Sequence, residues 1–264
     1  MKISIFTSNQ TRHTSLIETI AGIADEVFAV QECNTVFPGN VMDFFSKSAT
    51  MQEYFGHVME SEKNIFGDVR YLPSKVRSLP IKMGDLNRLS LSAFEDALDS
   101  DYFIVFGASF IKGELIEELV KRRAINIHMG VSPHYRGSSC NFWAADDGNF
   151  DLVGSTVHLL SKGLDSGPIL FHAMPKAEEV SAFDLGMKAV RAAHLGLAEA
   201  IKSGDIGKYD SISQDKTQEI KYTRNSQFND SVARKYLDKK ISPQEICEKI
   251  ANRDPSRFVN LKVF

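Results

Sequence analysis

The chain of 264 residues lacks an excess of positive charge, a cysteine framework and any long apolar run. Its formal net charge is −3, whereas a general nucleic-acid binder needs a clearly basic surface, so we expect no nucleic-acid partner. Cys33, Cys140 and Cys247 are far apart and include no C-x-x-C pair, which disfavours a zinc site and disulfides. No apolar run approaches the roughly 18 to 20 residues of a membrane span. Reduced thiols and a short apolar N-terminus favour a cytoplasmic protein without a membrane association or a metal.

The beginning of the chain predicts a strand, a polar loop and a helix. Lys2–Phe6 alternates like a strand, Thr7–His13 is polar, and Ser15 has a glutamate three residues later, a spacing that favours a helix start. The loop has no glycine, so it is not a dinucleotide fingerprint and we expect no NAD. Loops in this position often hold anions, so it is either simply solvated or part of an anion site. The side chains that would hold an anionic substrate group are Asn9, Arg12 and His13.

Strand and helix patterns then alternate along most of the chain, with a break at Pro38, Gly39 and Asn40 and an extended connection at Asp68–Lys82. Further strands are predicted at Glu26–Val30, Asp101–Phe106, Ala124–Ile127, Val153–Leu160 and Ile169–Ala173. Helices are predicted at Met42–Phe66, Ser92–Leu98, Gly113–Arg123, Asn141–Ala145 and Ser181–Lys202, and one begins at Ser242. This order is typical of a Rossmann-like, doubly wound α/β fold with a mostly parallel sheet. We expect one domain over residues 1–204 and a small mixed extension with a terminal helix over residues 205–264.

Two polar residues interrupt the apolar strand that ends before Gly130. Asn126 and His128 are two positions apart, so their side chains point to the same face of the strand. Buried amide and imidazole groups are costly unless they are satisfied. The pair is therefore either a satisfied structural cap or part of a binding site, and its place at a strand end followed by a Gly/Pro/Arg loop favours a site.

Five short segments resemble the core of the folate-dependent formyltransferases. They are Ile125-Asn-Ile-His128, Ser132-Pro-His-Tyr-Arg-Gly137, Trp143-Ala144, Gly154-Ser-Thr-Val-His158 and Gly163-Leu-Asp-Ser-Gly-Pro-Ile169. The resemblance is dense over about residues 100 to 172. One loop departs from the pattern, because Met129-Gly-Val-Ser-Pro133 stands where many relatives have a Ser-Leu-Leu-Pro run. The resemblance implies the fold predicted above and makes residues 1–204 a formyltransferase domain.

The resemblance also implies the catalytic set, which falls on Asn126, His128 and Asp165. In this family an amine attacks the formyl carbon of 10-formyltetrahydrofolate. The amide of Asn126 and a protonated His128 would stabilise the charge that develops on the formyl oxygen, while Asp165 accepts a proton or orients His128. No nucleophilic side chain is needed, and we interpret Cys140 as a packing residue. The implied folate contacts are Ser109, Phe110, Ile111, Leu164 and Asp165.

Features that the chain lacks disfavour two classes of amine acceptor. The acidic composition and the short tail disfavour a tRNA substrate, and the missing glycine-rich loop disfavours glycinamide ribonucleotide. Size and tail are closest to the sugar N-formyltransferases, so we expect a nucleotide-linked amino sugar for surface or flagellar glycan synthesis, and a homodimer. A non-sugar amine and a catalytically silent folate-binding relative are the alternatives. Further candidate substrate contacts are Tyr135, Arg136 and Tyr222, although a structural role for Arg136 is an equal alternative.

Overall fold

The computed structural model describes residues 1–33 and 47–264. In this part of the chain the strands are β1 Lys2–Ser8, β2 Glu26–Cys33, β3 Val76–Lys82, β4 Tyr102–Phe106, β5 Ile125–His128, β6 Tyr135–Gly137, β7 Ser155–Leu159, β8 Ile169–Met174, β9 Lys221–Thr223 and β10 Lys262–Val263. The α-helices are α1 Thr11–Ala21, α2 Ala49–Phe66, α3 Glu95–Leu98, α4 Gly113–Lys121, α5 Cys140–Asp146, α6 Ala182–Lys202, α7 Asp230–Leu237 and α8 Pro243–Ala251. The predicted break at residues 38–40 and the start of the predicted helix at residues 42–46 lie outside the described residues.

Eight strands form one mixed sheet in the order β10-β8-β7-β5-β4-β1-β2-β3. The five strands from β5 to β3 are parallel, and β7 runs antiparallel to both β5 and β8. The chain moves outward from β1 to β3 and then returns to β4 on the other side of β1. Because ligands bind in α/β sheets at the carboxyl ends of the strands where the order reverses, the ends of β1 and β4 mark the expected site.

Helices cover both faces of this sheet, which confirms the predicted α/β class. Along β1, Ile3 and Ile5 pack into a core with α1 and α6, whereas Phe6 packs into a second core with α3 and α4. This division follows from the alternation of side chains along a strand that is buried on both faces. The sheet is therefore packed on both faces, and the loops at the carboxyl ends of its strands carry the polar groups.

Two predictions for the first third of the chain are wrong. The first helix begins at Thr11 rather than Ser15, so the predicted loop shrinks to Asn9 and Gln10. The reason is a tertiary cap, since the carboxylate of Glu62 on α2 accepts the backbone N–H of Arg12. The stretch predicted as an extended connection contains β3, whose Pro80 is tolerated because β3 is an edge strand.

Residues 205–264 contact the rest of the molecule at several places. β9 pairs in parallel with β6, and β10 extends the main sheet beside β8. The predicted last helix is confirmed, because the Ser242 hydroxyl accepts the backbone N–H of Glu245 at 3.1 Å. The proposed division at residue 204 stays a prediction. Across the described ranges, we find no helix that is both long and apolar enough to cross a membrane.

Candidate active site

The predicted catalytic side chains meet at the carboxyl end of β5. Asn126 and His128 both extend from β5 toward Asp165, which lies in the loop between β7 and β8. Asn126 Nδ2 donates to Asp165 Oδ1 at 3.1 Å, and His128 Nδ1 is 3.1 Å from Asp165 Oδ2. One carboxylate therefore binds both strand-borne side chains, one with each oxygen.

The charges of His128 and Asp165 depend on each other. Burial lowers the pKa of His128, but the negative charge of Asp165 outweighs burial and raises that pKa above its ordinary value. Burial raises the pKa of Asp165, and the same pairing with His128 outweighs it and holds that pKa well below its usual range. The pair is thus an imidazolium and a carboxylate at neutral pH. Because Nδ1 binds Asp165, the buried Nε2 of His128 is an N–H donor with no partner among the described residues.

His158 on β7 completes the network and was missed as a site residue from the sequence. Its Nδ1 is 2.8 Å from the carbonyl oxygen of Leu159, which only accepts, so Nδ1 carries a proton. Its Nε2 is 2.9 Å from Asn126 Nδ2 and accepts the second amide hydrogen. Both hydrogens of Asn126 are therefore used inside the network. The signal was present, because His158 directly faces Asn126 in the antiparallel pairing of β5 and β7.

Gln214, which lies between α6 and β9, holds the loop that carries Asp165. Asp165 has a φ of 44°, in the left-handed region that non-glycine residues seldom adopt. Gln214 Nε2 donates to the carbonyl oxygens of Asp165 and Gly167 at 2.8 and 2.9 Å. A Cβ at Gly167 would lie 1.7 Å from the Leu159 oxygen, so the loop passes too close to β7 for any other residue. These contacts fix the backbone that aims the carboxylate.

A cavity of about 280 Å³ opens beside this network. Its two walls are the loop after β4, residues 107–111, and the loop from Ser161 to Asp165. Both groups of predicted folate contacts line it: Ser109, Phe110, Ile111, Leu164 and Asp165. Phe110 and Leu164 are 46% and 54% exposed at its opening, whereas Ile111 is buried. The cavity is thus a cleft with apolar sides, and the polar groups of Asn126, His128 and Asp165 line its end.

Glu32 at the end of β2 holds the first wall in place. Its carboxylate accepts the backbone N–H and the hydroxyl of Ser109 at 2.7 and 2.8 Å, and it also accepts the N–H of Gly84 at 2.7 Å. The polar groups of Ser109 are therefore already bound within the protein, so its predicted folate contact would be made by its remaining surface. A Cβ at Gly107, where φ is 62°, would lie 2.3 Å from His13 Nε2, so glycine is required there.

A second cavity of about 410 Å³ adjoins the first and shares Phe106, Gly107 and Met129 with it. Arg12 and His13 line this second cavity, as predicted for substrate contacts, while Asn9 is exposed in the turn before α1 and does not line it. Burial lowers the pKa of His13 to about 3, so its imidazole is neutral and its Nδ1 has no partner among the described residues. His13 is a polar wall of this cavity and not a cation.

The N-terminus of α1 is already occupied by a carboxylate. Glu62 accepts from the Thr11 hydroxyl at 3.0 Å, from the Arg12 N–H at 2.9 Å and from the Arg12 guanidinium at 2.7 Å. The first N–H groups of a helix are where proteins bind phosphate. A phosphate at this position would have to displace the buried carboxylate of Glu62, so the protein's own side chain already occupies the anion site that this loop could form.

Three other predicted substrate contacts lie in the β6–β9 ribbon. The buried Tyr135 hydroxyl donates to Asp147 at 3.0 Å and accepts from Asn149 at 2.7 Å. Arg136 pairs with Glu219 at 2.8 Å and stacks near the half-exposed ring of Tyr222. None of Tyr135, Arg136 and Tyr222 lines either cavity. Tyr135 and Arg136 use their polar groups in contacts within the protein, and the structure does not bring these three residues to Asn126, His128 and Asp165.

Cys140 is buried next to His128 and fills space. Its thiol lies 3.4 Å from the carbonyl oxygen of Gly137. A Cβ at Gly130 would lie 2.4 Å from the Cβ of Cys140 and 2.8 Å from His128 Nε2, which is why this position is glycine. Within the described ranges we find no group of three or more His, Cys, Asp or Glu side chains that could hold a metal ion.

The sequence and the fold are similar to those of formyl transferases. The formyl transferase family model matches residues 89–201, a segment that contains β4, β5, both loops of the first cavity and Asp165. The predicted resemblance to the folate-dependent formyltransferases is therefore confirmed.

Among curated relatives, the methionyl-tRNA formyltransferase of Synechococcus sp. is 33% identical over 127 residues, which are 47% of this chain and 38% of the relative. The GDP-perosamine N-formyltransferase of Brucella melitensis is 29% identical over 124 residues, which are 42% of this chain and 48% of the relative. The chain thus spans less than half the length of these relatives.

Among solved structures, the Helicobacter canadensis N-formyltransferase in complex with folinic acid and dTDP-3-aminofucose has a TM-score of 0.50 at 15% identity. The match covers 95% of this chain and 79% of that chain. At this identity the likeness supports the fold.

Proposed function

We propose that the chain transfers a formyl group from 10-formyltetrahydrofolate to the amine of a nucleotide-linked amino sugar. The observation that carries this proposal is the bonded set of Asn126, His128 and Asp165 at the end of a cleft. This set lies at the carboxyl end of β5, next to β4, whose end borders the point where the strand order reverses and where ligands usually bind. Its side chains are the ones that the formyltransferase resemblance requires.

The first cavity fits a flat heteroaromatic group such as a pterin, whose ring faces can pack against apolar side chains. Phe110 and Leu164 are large apolar side chains left exposed at its mouth, and exposed apolar surface of this kind marks binding sites. The backbone of residues 107–111 and 161–165 would hold the polar edge of the ring. When bound, the folate supplies an activated formyl group.

The chain's own residues would act on charge and on the proton. The Nε2 N–H of His128 is a buried, unpartnered cationic donor, well suited to stabilise negative charge on a formyl oxygen. Asn126 would join it by giving one of its two amide hydrogens to that oxygen in place of its present partner. Asp165 would keep His128 charged. It would also accept the proton that the attacking amine loses, directly or through water, and that proton would pass to N10 of the folate as the bond between N10 and the formyl carbon breaks.

Two observations favour an amino sugar over other amines. Glu62 fills the helix N-terminus where the glycinamide ribonucleotide enzymes would bind a phosphate after the first strand, which disfavours that alternative. The relatives include GDP-perosamine N-formyltransferase, and the Helicobacter enzyme was solved with an amino sugar linked to dTDP. Because methionyl-tRNA formyltransferases are also among the relatives, a tRNA acceptor is the alternative. The net charge of −3 argues against it, since tRNA binding needs a basic surface.

The test is an assay with 10-formyltetrahydrofolate and a panel of amino sugars linked to UDP, dTDP, GDP and CDP, beside glycinamide ribonucleotide and methionyl-tRNA. Folinic acid binding is measured in parallel by calorimetry. We expect one or more nucleotide sugars to gain a formyl group. Formylation of only a non-sugar amine would contradict the sugar assignment, and folate binding without any turnover would indicate a silent relative. If the chain neither binds folinic acid nor formylates any acceptor, the proposed formyltransferase activity is rejected.

A further inference from the structure

A third cavity continues the path that begins at the catalytic set. It measures about 200 Å³ and shares Arg12, Met129 and Val190 with the second cavity. The three cavities therefore form a series in which each shares wall residues with the next. We call the third cavity the aromatic pocket, defined by Tyr54, Phe142, Phe183, Gly186 and Tyr236.

The wall of the aromatic pocket combines aromatic rings that pack edge to face with polar groups that have no partner among the described residues. The ring of Tyr54 lies 5.8 Å from that of Phe142, 5.3 Å from that of Phe183 and 6.3 Å from that of Tyr236. Over residues 1–33 and 47–264, the hydroxyls of Tyr54 and Tyr236 have no hydrogen-bond partner, although both side chains are buried. Neither hydroxyl is among the fully buried side-chain atoms that lack a partner, so a ligand with polar edge atoms would make hydrogen bonds that water otherwise makes.

Asn141 adds a third polar group to the wall of the aromatic pocket. Its Oδ1 accepts the backbone N–H of Gly154 at 3.0 Å, which fixes the orientation of the amide. Its Nδ2 is left without a partner within the described ranges and is available as a donor. Flat ring faces with a donor and two hydroxyls at the edge are the chemistry that recognises a nucleobase.

Gly186 leaves space that the fold itself does not use. It lies inside α6, where glycine weakens a helix relative to alanine, and a Cβ built there would meet no atom within 4 Å. No packing requirement among the described residues explains the missing side chain. Gly56 in α2 also has open space around it, but of the two only Gly186 lines the aromatic pocket, so its missing side chain leaves the pocket wider.

We propose that the aromatic pocket binds the nucleobase of the nucleotide-linked acceptor. This inference rests on the proposed function. The folate takes the first cavity and the amine-bearing sugar takes the second. The linker then passes Arg12, whose charge is already balanced by Glu62, and the base enters the aromatic pocket. Recognition of the acceptor therefore depends on its base more than on a dedicated phosphate site.

The test compares two glycine substitutions in the full-length chain. Gly186→Phe fills the aromatic pocket, and Gly56→Phe places the same side chain at a glycine of α2 that also faces open space but lines none of the three cavities. Calorimetry measures binding of UDP, dTDP, GDP, CDP and ADP, with inorganic pyrophosphate as a ligand without a base. Folinic acid binding reports that each variant keeps the first cavity.

We expect the wild-type chain to bind at least one nucleoside diphosphate, Gly186→Phe to weaken that binding tenfold or more, and Gly56→Phe to change it less than twofold. If Gly186→Phe does not fold, the double variant Tyr54→Phe, Tyr236→Phe keeps ring volume and should weaken binding fivefold or more. The base pocket is rejected if nucleoside diphosphates bind Gly186→Phe and the double variant as tightly as they bind the wild type. It is also rejected if inorganic pyrophosphate binds as tightly as the nucleoside diphosphates. If Gly186→Phe formylates a nucleotide sugar with an unchanged KM, the base pocket is rejected and the proposed function stands. If the wild-type chain does not bind folinic acid, the proposed function itself is rejected.

Discussion

Asp165 sets the charge of His128, so its replacement separates chemistry from binding. In Asp165→Asn, burial still lowers the pKa of His128, and the charge of Asp165, the largest influence that raises this pKa, is gone. The smaller influence of Cys140 remains, and we expect the imidazole to be neutral at pH 7. The variant loses the cationic donor and the proton acceptor together, and we expect kcat to fall by about 100-fold or more. Folinic acid affinity should change less than about threefold, because the loop backbone that faces the folate is retained.

The comparison needs kcat from a formyl-transfer assay and a dissociation constant from calorimetry on the same preparation. An NMR titration of His128 checks the cause, since its pKa should fall in the variant. Equal losses in turnover and folate affinity would assign Asp165 a binding role instead. A His128 pKa that does not move would remove the proposed electrostatic link.

At the scale of elements, the loop that carries Asp165 depends on a residue from the C-terminal extension. Gln214→Met keeps the length of the side chain and removes the two hydrogen bonds from its amide to the carbonyl oxygens of Asp165 and Gly167. Each such bond contributes roughly 0.5 to 1.5 kcal/mol, so we expect kcat to fall about tenfold and the pH dependence of kcat to shift. Gln214 is a positioning residue, so the folate affinity should fall less than kcat.

Gln244→Met is the matched control, because Gln244 lies in the same extension and binds only Glu179 at the surface. The two variants are compared by kcat, by its pH profile and by folinic acid binding. If Gln214→Met and Gln244→Met have the same kcat, then the extension does not position Asp165. A fall that Gln214→Asn partly restores would support the hydrogen-bond explanation.

The sequence predicted the parts of the site that depend on local patterns. The spacing of Asn126 and His128 on one strand was sufficient to place both side chains on one face, and the resemblance supplied Asp165. His158 was within reach, because it faces Asn126 in the pairing of two predicted strands. The buried Tyr135 was predicted to contact substrate, but its hydroxyl is bound to Asp147 and Asn149.

The supporting residues could not be predicted, because their contacts cross large sequence separations. Glu32 binds Ser109 across 77 positions, Glu62 binds Arg12 across 50, and Gln214 reaches Asp165 across 49. No periodicity or local motif relates such pairs. The same tertiary contact moved the start of α1, since Glu62 supplies a cap that local spacing had assigned to Ser15.

The whole molecule should lose stability in mild acid because it buries neutral histidines. Burial lowers the pKa of His194 to about 3 and of His172 to about 4, as it does for His13. Each of these histidines takes up a proton on unfolding below its ordinary pKa near 6.5. Stability therefore falls as pH decreases from 7 to 5, by about 2 kcal/mol for each histidine.

Replacing one of these histidines isolates its contribution to acid sensitivity. Neither ring nitrogen of His194 has a partner within the described ranges, and the ring packs against Phe66 and Phe106. His194→Leu should make the loss of unfolding free energy between pH 7 and pH 5 about 2 kcal/mol smaller, measured by urea unfolding at both pH values. An equal loss in His194→Leu and the wild type would contradict this cause.

The central claim is that one carboxylate, one imidazolium and one amide at the end of β5 carry out formyl transfer to a nucleotide-linked amine. The most direct measurement is mass spectrometry of the acceptor after reaction with 10-formyltetrahydrofolate, for the wild-type chain and for His128→Ala. The account predicts an acceptor heavier by one formyl group with the wild type and a rate lower by about 100-fold or more with His128→Ala. A formylation rate that is the same in both proteins would contradict it.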